Sequence, residues 1–182
     1  MRCFVGLDIP NNLKIRLSTL QSGLTQTRWV DPEGFHLTLA FLGELDGIEM
    51  EEVAELLTSS DFPALHLRLQ GVDRFGSGKK TRVLWAGVEP NPCLEAMAST
   101  LRFKLSLVVR TLDSRSFKPH VSLSRHCSAK EQQVAGFLGA NASFTSDFFD
   151  VTEFHLYSSH LSASGAYYRK ELSVPLSLVI AN

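Results

Sequence analysis

At 182 residues, with 44% hydrophobic and 20% charged residues, the chain has the make-up of a globular protein large enough to bury a core, which excludes disorder, fibres and repeat solenoids. A formal net charge of −1 excludes a broadly basic protein that grips many phosphates through counterion release, so any nucleic-acid contact should be local. Cys3, Cys93 and Cys127 have neither the even count of a disulfide framework nor the paired spacing of a zinc site, and are expected as small buried side chains in a reducing compartment.

In chain order, residues 2–8 carry Phe4, Val5 and Leu7 and stop short of Pro10, as a strand entering a turn does. The run is too short for a signal peptide, and no segment reaches the ~18 consecutive apolar residues that span a membrane, so the chain is expected in the cytoplasm with no membrane partner. Leu13, Leu17, Leu20 and Leu24 then recur at helical spacing, which predicts a helix from Pro10 to near Gly23. A short strand at 28–30, a turn at Asp31-Pro32-Glu33-Gly34 and a strand over 36–42 closed by Gly43 follow. A second helix is predicted over 48–57, with Val53, Leu56 and Leu57 inward. Alternation of Leu65, Leu67 and Leu69 with polar residues, followed by the run 82–88, predicts an antiparallel hairpin around Gly76-Ser77-Gly78. The longest helix is predicted over 92–109, with Leu94, Met97, Leu101, Leu105 and Val108 on one face and Asn91 as its cap. Strands at 120–124, 151–157 and 167–174 and a short helix at 130–138 complete a mixed α and β chain. The order of strands and helices repeats between the halves with no linker rich in Pro, Gly and Ser. Residues 1–182 are therefore expected to form a single bilobal domain whose two sheets share a cleft.

Two tetrapeptides carry the candidate chemistry: His36-Leu37-Thr38-Leu39 and, 84 residues later (120 − 36), His120-Val121-Ser122-Leu123. Side chains alternate between the faces of a strand, so each motif sets an imidazole and a hydroxyl on one face and two apolar anchors on the other. The bare pattern is common, because the chain has 20 Ser and 10 Thr and four of its six histidines satisfy it. His126 and His160 are set aside because Cys127, Ala129, Ala163 and Gly165 supply no alternating large apolar residues around them. A single His on a strand is more often an interior or surface residue than a catalyst. Two matched copies facing one cleft supply more: a base for water, an acid for a leaving oxygen and donors for phosphate oxygens. An imidazole pKa of about 6.5 lets one ring be neutral and the other charged near neutrality.

The segments RCFVGLDIP, FHLTLAFLGEL, TRVLWAGV, FKPHVSLSR and VTEFHLYSS, spread over nearly the whole chain, resemble those of the two-histidine (2H) phosphoesterases. Within that family they are most similar to the bacterial RNA 2′,3′-cyclic phosphodiesterases formerly called 2′-5′ RNA ligases. The resemblance implies an α+β bilobal fold with pseudo-twofold symmetry, each lobe giving one His-x-Thr/Ser-x motif to a central groove. It implies that His36 is the proton donor to the departing 3′ oxygen and His120 the proton acceptor that activates water. Thr38 and Ser122 would hydrogen-bond the phosphate, and Arg125 would add positive charge there. The implied activity is opening of the 2′,3′-cyclic phosphate on RNA ends or nucleotides to a 2′-phosphate, by a monomer with no metal and no cofactor. Reversal, which joins RNA ends through a 2′-5′ bond, is expected to be slow because no ATP motif is present to drive it. Ser122 stands where the family often has threonine, which keeps the hydroxyl but loses the methyl that restricts its rotamer.

Strict alternation puts Arg125 on the face of Val121 and Leu123, so it reaches the cleft only where the strand twists or ends; otherwise it is a solvated strand-end arginine. Phe4, Trp85 and Tyr157 are either core residues or faces on which a nucleobase stacks. Gly76-Ser77-Gly78-Lys79-Lys80 lacks the spacing of a phosphate loop and reads as a hairpin turn, whose lysines form with Arg74 and Arg82 either a local basic rim or a solvated surface. Two other functions compete. A metal-dependent phosphohydrolase needs ligand spacing such as His-x-His or His-Glu-x-x-His, and the sequence has neither. A noncatalytic module that binds nucleotides or RNA ends needs no pair of imidazoles, because arginine grips phosphate better through its fixed fork of donors.

Overall fold

The computed structural model describes residues 1–76, 83–162 and 165–177. The turn expected around Ser77 and Gly78, and the rim residues Lys79, Lys80 and Arg82, lie outside the described residues. Arg74 forms a salt bridge with Glu131 at 2.5 Å. The elements are β1 (Arg2–Asp8), α1 (Asn11–Ser18), β2 (Thr27–Trp29), a 3-10 turn (Pro32–Gly34), β3 (His36–Glu44), α2 (Gly47–Thr58), β4 (Leu65–Leu67), β5 (Leu69–Phe75), β6 (Val83–Val88) and α3 (Pro92–Ser106). After these come β7 (His120–Ser122), β8 (Ser124–Cys127), α4 (Glu131–Ala140), β9 (Phe149–Val151), β10 (Glu153–Ser162) and β11 (Gly165–Pro175).

Seven strands form one antiparallel sheet in the order β11-β10-β1-β3-β7-β6-β5. The two sheets that the sequence suggests are thus continuous, joined where Leu37 on β3 pairs with Val121 on β7. The fold class is α+β, as expected. Alternation on β3 buries Leu37 and Leu39, while His36 and Thr38, on the opposite face, are mostly buried but keep some exposure. On β7, Val121 is fully buried between His120 and Ser122, which keep some exposure. The longest helix, α3, packs against β3 and puts Leu94, Met97, Ala98, Leu101 and Leu105 into the core, each large side chain contributing about 1.5–3 kcal/mol. Its cap is Asn91, whose side-chain oxygen accepts from the Leu94 N–H at 2.9 Å.

Several boundaries differ from the sequence reading, each for a local reason. The first helix ends at Ser18, not near Gly23. The Ser18 and Thr19 hydroxyls donate back to the carbonyls of Ile15 and Arg16. Beyond them, the Gln21 side-chain amide donates to Val30 O and Leu123 O at 2.6 and 2.9 Å and draws the chain out of the helix. Leu24 is nevertheless buried, so the apolar stripe was a packing signal that outlasted the helix. Gly43 does not close β3; the strand continues to Glu44 through a bulge at Gly43, whose φ is +80°. The hairpin partner of β6 is β5, with Phe75 opposite Val83, whereas Leu65–Leu67 pairs with Phe149–Val151 in a separate two-stranded sheet. Cys3 and Cys127 are buried as expected, but Cys93 is exposed at the start of α3.

Candidate active site

Antiparallel register fixes how the two motifs meet. Leu37 pairs with Val121, so residues whose numbers sum to 158 (37 + 121) face one another, and His36 lies across from Ser122 while Thr38 lies across from His120. Each imidazole therefore sits beside the hydroxyl of the other motif. His36, Thr38, His120, Ser122 and Arg125 all line one cavity of about 350 Å³.

Both rings are held in the same way. His36 Nδ1 lies 2.8 Å from Gly34 O, and His120 Nδ1 lies 2.6 Å from Lys118 O. A carbonyl only accepts, so each Nδ1 carries the hydrogen and each Nε2 is left for proton exchange. Side-chain packing fixes the ring planes. One face of His36 stacks on Phe4 at 4.6 Å, and Tyr168 meets it edge-on at 4.8 Å. His120 is held by the edge of Phe75 at 4.9 Å and by Trp85 at 5.8 Å. Burial lowers the pKa of both histidines. For His36 the loss of solvent outweighs the bond to Gly34, which favours the charged ring; with the neighbouring charges of Arg125 and His120, it is pushed down to about 4. For His120 the bond to Lys118 O opposes burial, and the Lys118 and Arg115 charges reinforce it.

Arg125 reaches the cleft for the reason that alternation left open. The strand breaks at Leu123, whose N–H donates to Leu84 O and whose carbonyl accepts from Val30 N–H, and the chain then switches sheets to pair with β2. The switch resets which side faces the cleft. The Arg125 guanidinium donates to Ala166 O at 3.0 Å and lies 5.6 Å over the Tyr168 ring. The two histidines set aside stay out of the pair: exposed His126 lies opposite Arg28, and His160 bonds Ser158 and stacks on Tyr167.

Phe4, Trp85 and Tyr157 are buried, at 3%, 6% and 5% exposure, so none of them is a free stacking face. They serve as backing instead. Phe4 packs on both His36 and Tyr157, with ring centroids 4.6 and 4.9 Å away, and those two rings also meet at 6.1 Å. The Tyr157 hydroxyl donates to Asp8 at 2.5 Å, and Lys170 also bonds that carboxylate. Burial alone would raise the Asp8 carboxyl, but these two partners hold it below its ordinary value. The sequence reading missed Tyr168; the signal available was the Tyr167-Tyr168 pair on one strand, of which alternation must turn one ring inward. Among the described residues no group of three or more His, Cys, Asp or Glu side chains is arranged to hold a metal ion, and no helix is long and apolar enough to cross a membrane.

Facing strands that each bring an imidazole and a hydroxyl to one cleft define the two-histidine phosphoesterases as a class. The chain belongs to the 2′-5′ RNA ligase superfamily, whose family model matches residues 14–163. An RNA 2′,3′-cyclic phosphodiesterase of Archaeoglobus fulgidus is 28% identical over 172 residues, covering 93% of this chain and 97% of the relative. One from Thermotoga maritima is 29% identical over 177 residues, covering 93% and 92%. The crystal structure of E. coli LigT complexed with 3′-AMP superposes with a TM-score of 0.80 at 25% identity, covering 97% of this chain and 98% of that one.

Proposed function

We propose that this chain hydrolyses the 2′,3′-cyclic phosphate at RNA ends to a 2′-phosphate and a free 3′-hydroxyl, with His36 as general acid and His120 as general base. The observation that carries the reading is the matched pair of imidazoles, each with Nδ1 tied to a backbone carbonyl, on facing strands around one cavity. Their Nε2 atoms then stand on either side of a phosphate seated between Thr38 and Ser122. Water attacks phosphorus and gives its proton to His120 Nε2. The bond from phosphorus to O3′ breaks, and O3′ takes the proton carried by His36 Nε2. Solvent exchange returns both rings to their starting states. The Thr38 and Ser122 hydroxyls donate to the nonbridging oxygens, and the Arg125 guanidinium offsets the charge that builds on them. The proton transfers contribute about 10²–10⁴-fold.

In the free site His36 is held neutral, with its pKa near 4, whereas the acid role needs it charged. The substrate supplies the correction, because a phosphodiester anion between the rings favours the protonated form of each. The curated relatives that share most of the chain's length, all named RNA 2′,3′-cyclic phosphodiesterase, support the substrate class, and the 3′-AMP complex of the LigT structure supports nucleotide binding in the same fold. We take residues 1–182 to act as one bilobal unit and a monomer, since both motifs of the site lie in a single chain. We read it as a cytoplasmic enzyme that needs neither metal nor cofactor, the two imidazoles supplying both proton transfers. The test is to incubate the protein, with chelator present, with a short RNA ending in a 2′,3′-cyclic phosphate. The reading expects a 2′-phosphate product; a 3′-phosphate, or turnover that vanishes with chelator and returns with zinc, rejects it.

A further inference from the structure

A second cavity, of about 430 Å³, opens beside the first and shares Thr38, Phe41, Val83, His120 and Ser122 with it. Both volumes fall in the range of about 300–1,000 Å³ typical of small-ligand sites. A cyclic mononucleotide needs only one of them. The second is lined by His120 but not by His36, and its outer wall is the segment after α3 that leads to β7.

That wall is organised before any ligand arrives. The Arg102 guanidinium donates to Asp113 O and Arg115 O at 2.7 and 2.8 Å, and Arg115 pairs with the Asp113 carboxylate at 2.5 Å. These two arginines are engaged in holding the wall. Lys118 is engaged differently. Its ammonium lies 4.4 Å over Trp85 and 5.5 Å over Phe75, with the Asp73 carboxylate at 3.9 Å. Ring faces attract an ammonium without neutralising it, and the Asp73 pair is long and solvent-exposed on both sides, a contact that a phosphate can displace. The cavity therefore combines a cation with the aromatic side chains Phe75 and Phe117, next to the position proposed for the reacting phosphorus. A cation for the backbone and aromatic faces for the bases are how proteins hold single-stranded nucleic acid.

We propose that this cavity is a subsite for the nucleotide that precedes the cyclic end, with Lys118 against the phosphodiester that joins the last two nucleotides. The proposal deepens the phosphodiesterase reading and rests on it. It makes the preferred substrate an RNA end of two or more nucleotides rather than a free cyclic mononucleotide. The cation favours a continuous strand over a second RNA molecule. A strand continuing from the terminal 5′ oxygen carries a phosphodiester past the ring pair, whereas a separate 5′-hydroxyl end has no phosphate on that oxygen.

The experiment measures kcat/KM for a nucleoside 2′,3′-cyclic monophosphate and for a dinucleotide and a trinucleotide with the same cyclic end, using the wild type and Lys118→Ala. The dinucleotide should exceed the mononucleotide by about tenfold or more, with little added by the third nucleotide, and Lys118→Ala should shrink that ratio severalfold. Equal values for mononucleotide and dinucleotide in the wild type overturn the subsite and leave the phosphodiesterase reading standing, and this arm depends on no variant. A length preference untouched by Lys118→Ala overturns the placement of the phosphodiester. No turnover of any of the three removes both readings together.

Discussion

Leu37 on β3 faces Val121 on β7, and this pair sets the register in which the two histidine motifs meet. Both side chains are fully buried, so a slip of one residue would turn apolar anchors outward and imidazoles into the core. The same packing that stabilises the sheet junction thereby fixes the site.

If His36 and His120 act as a pair, replacing either with alanine should lower kcat by roughly 10²–10⁴-fold, with the circular dichroism spectrum unchanged. The double variant should be little slower than the slower single one, because an acid and a base that act in one step fail together. Near wild-type turnover in either single variant contradicts the assignment.

The pH dependence follows from the sign of the shifts. Activity requires one ring protonated and the other neutral, so kcat/KM is a bell bounded by the two free-enzyme pKa values. His36 is pushed down to about 4 and His120 is lowered from 6.5, both mainly by burial, which puts the whole optimum below pH 6.5. The profile of kcat should sit higher, since a bound phosphate anion raises both values. Rate measurements from pH 3.5 to 9 check this, and a kcat/KM optimum above pH 7 counts against buried, neutral rings.

Phe4 stacks on His36 and on Tyr157 in a triangle of rings, the latter two lying 6.1 Å apart. Phe4→Leu keeps the site apolar and most of its buried volume, yet removes the flat face against His36. The expected result is a severalfold loss in kcat with KM little changed and only a small drop in melting temperature. Unchanged kcat shows that the ring merely fills space.

Gly43 is held at φ +80°, and a Cβ there would lie 2.7 Å from Thr111 Oγ1. That hydroxyl bonds Leu42 O and has little room to withdraw. Gly43→Ala should therefore destabilise by about 1–3 kcal/mol, each kcal/mol lowering the melting midpoint by about 2–4 °C in a domain of this size. A melting curve identical to that of the wild type refutes the strain argument.

Strand and helix identities were legible in the sequence wherever one face is buried. The alternation in His36-Leu37-Thr38-Leu39 and the stripe Leu94, Met97, Leu101, Leu105 each report a partition between core and solvent that the structure reproduces. Leu20 and Leu24 misled because burial outlives the helix once Gln21 bonds to the distant Leu123 carbonyl, 102 residues away. Leu65 and Leu67 misled because alternation reports a buried face but not which strand lies alongside. The reach of Arg125 into the cleft depends on a sheet switch at Leu123, a tertiary event with no local signature. The Tyr167-Tyr168 pair signals that one ring turns inward but not that it meets His36, and neither this contact nor the Asp8–Tyr157 bond is legible locally, because β11 and β10 lie more than 100 residues from His36 and Asp8.

The central claim is that two imidazoles flank a single phosphorus atom, and the most direct measurement is an NMR titration of the histidine ring nitrogens with a nucleoside 2′-phosphate, assigned with the two alanine variants. The account predicts that the His36 and His120 signals move together along one binding curve and that both rings become easier to protonate. Response of only one ring, or two curves with different affinities, contradicts it.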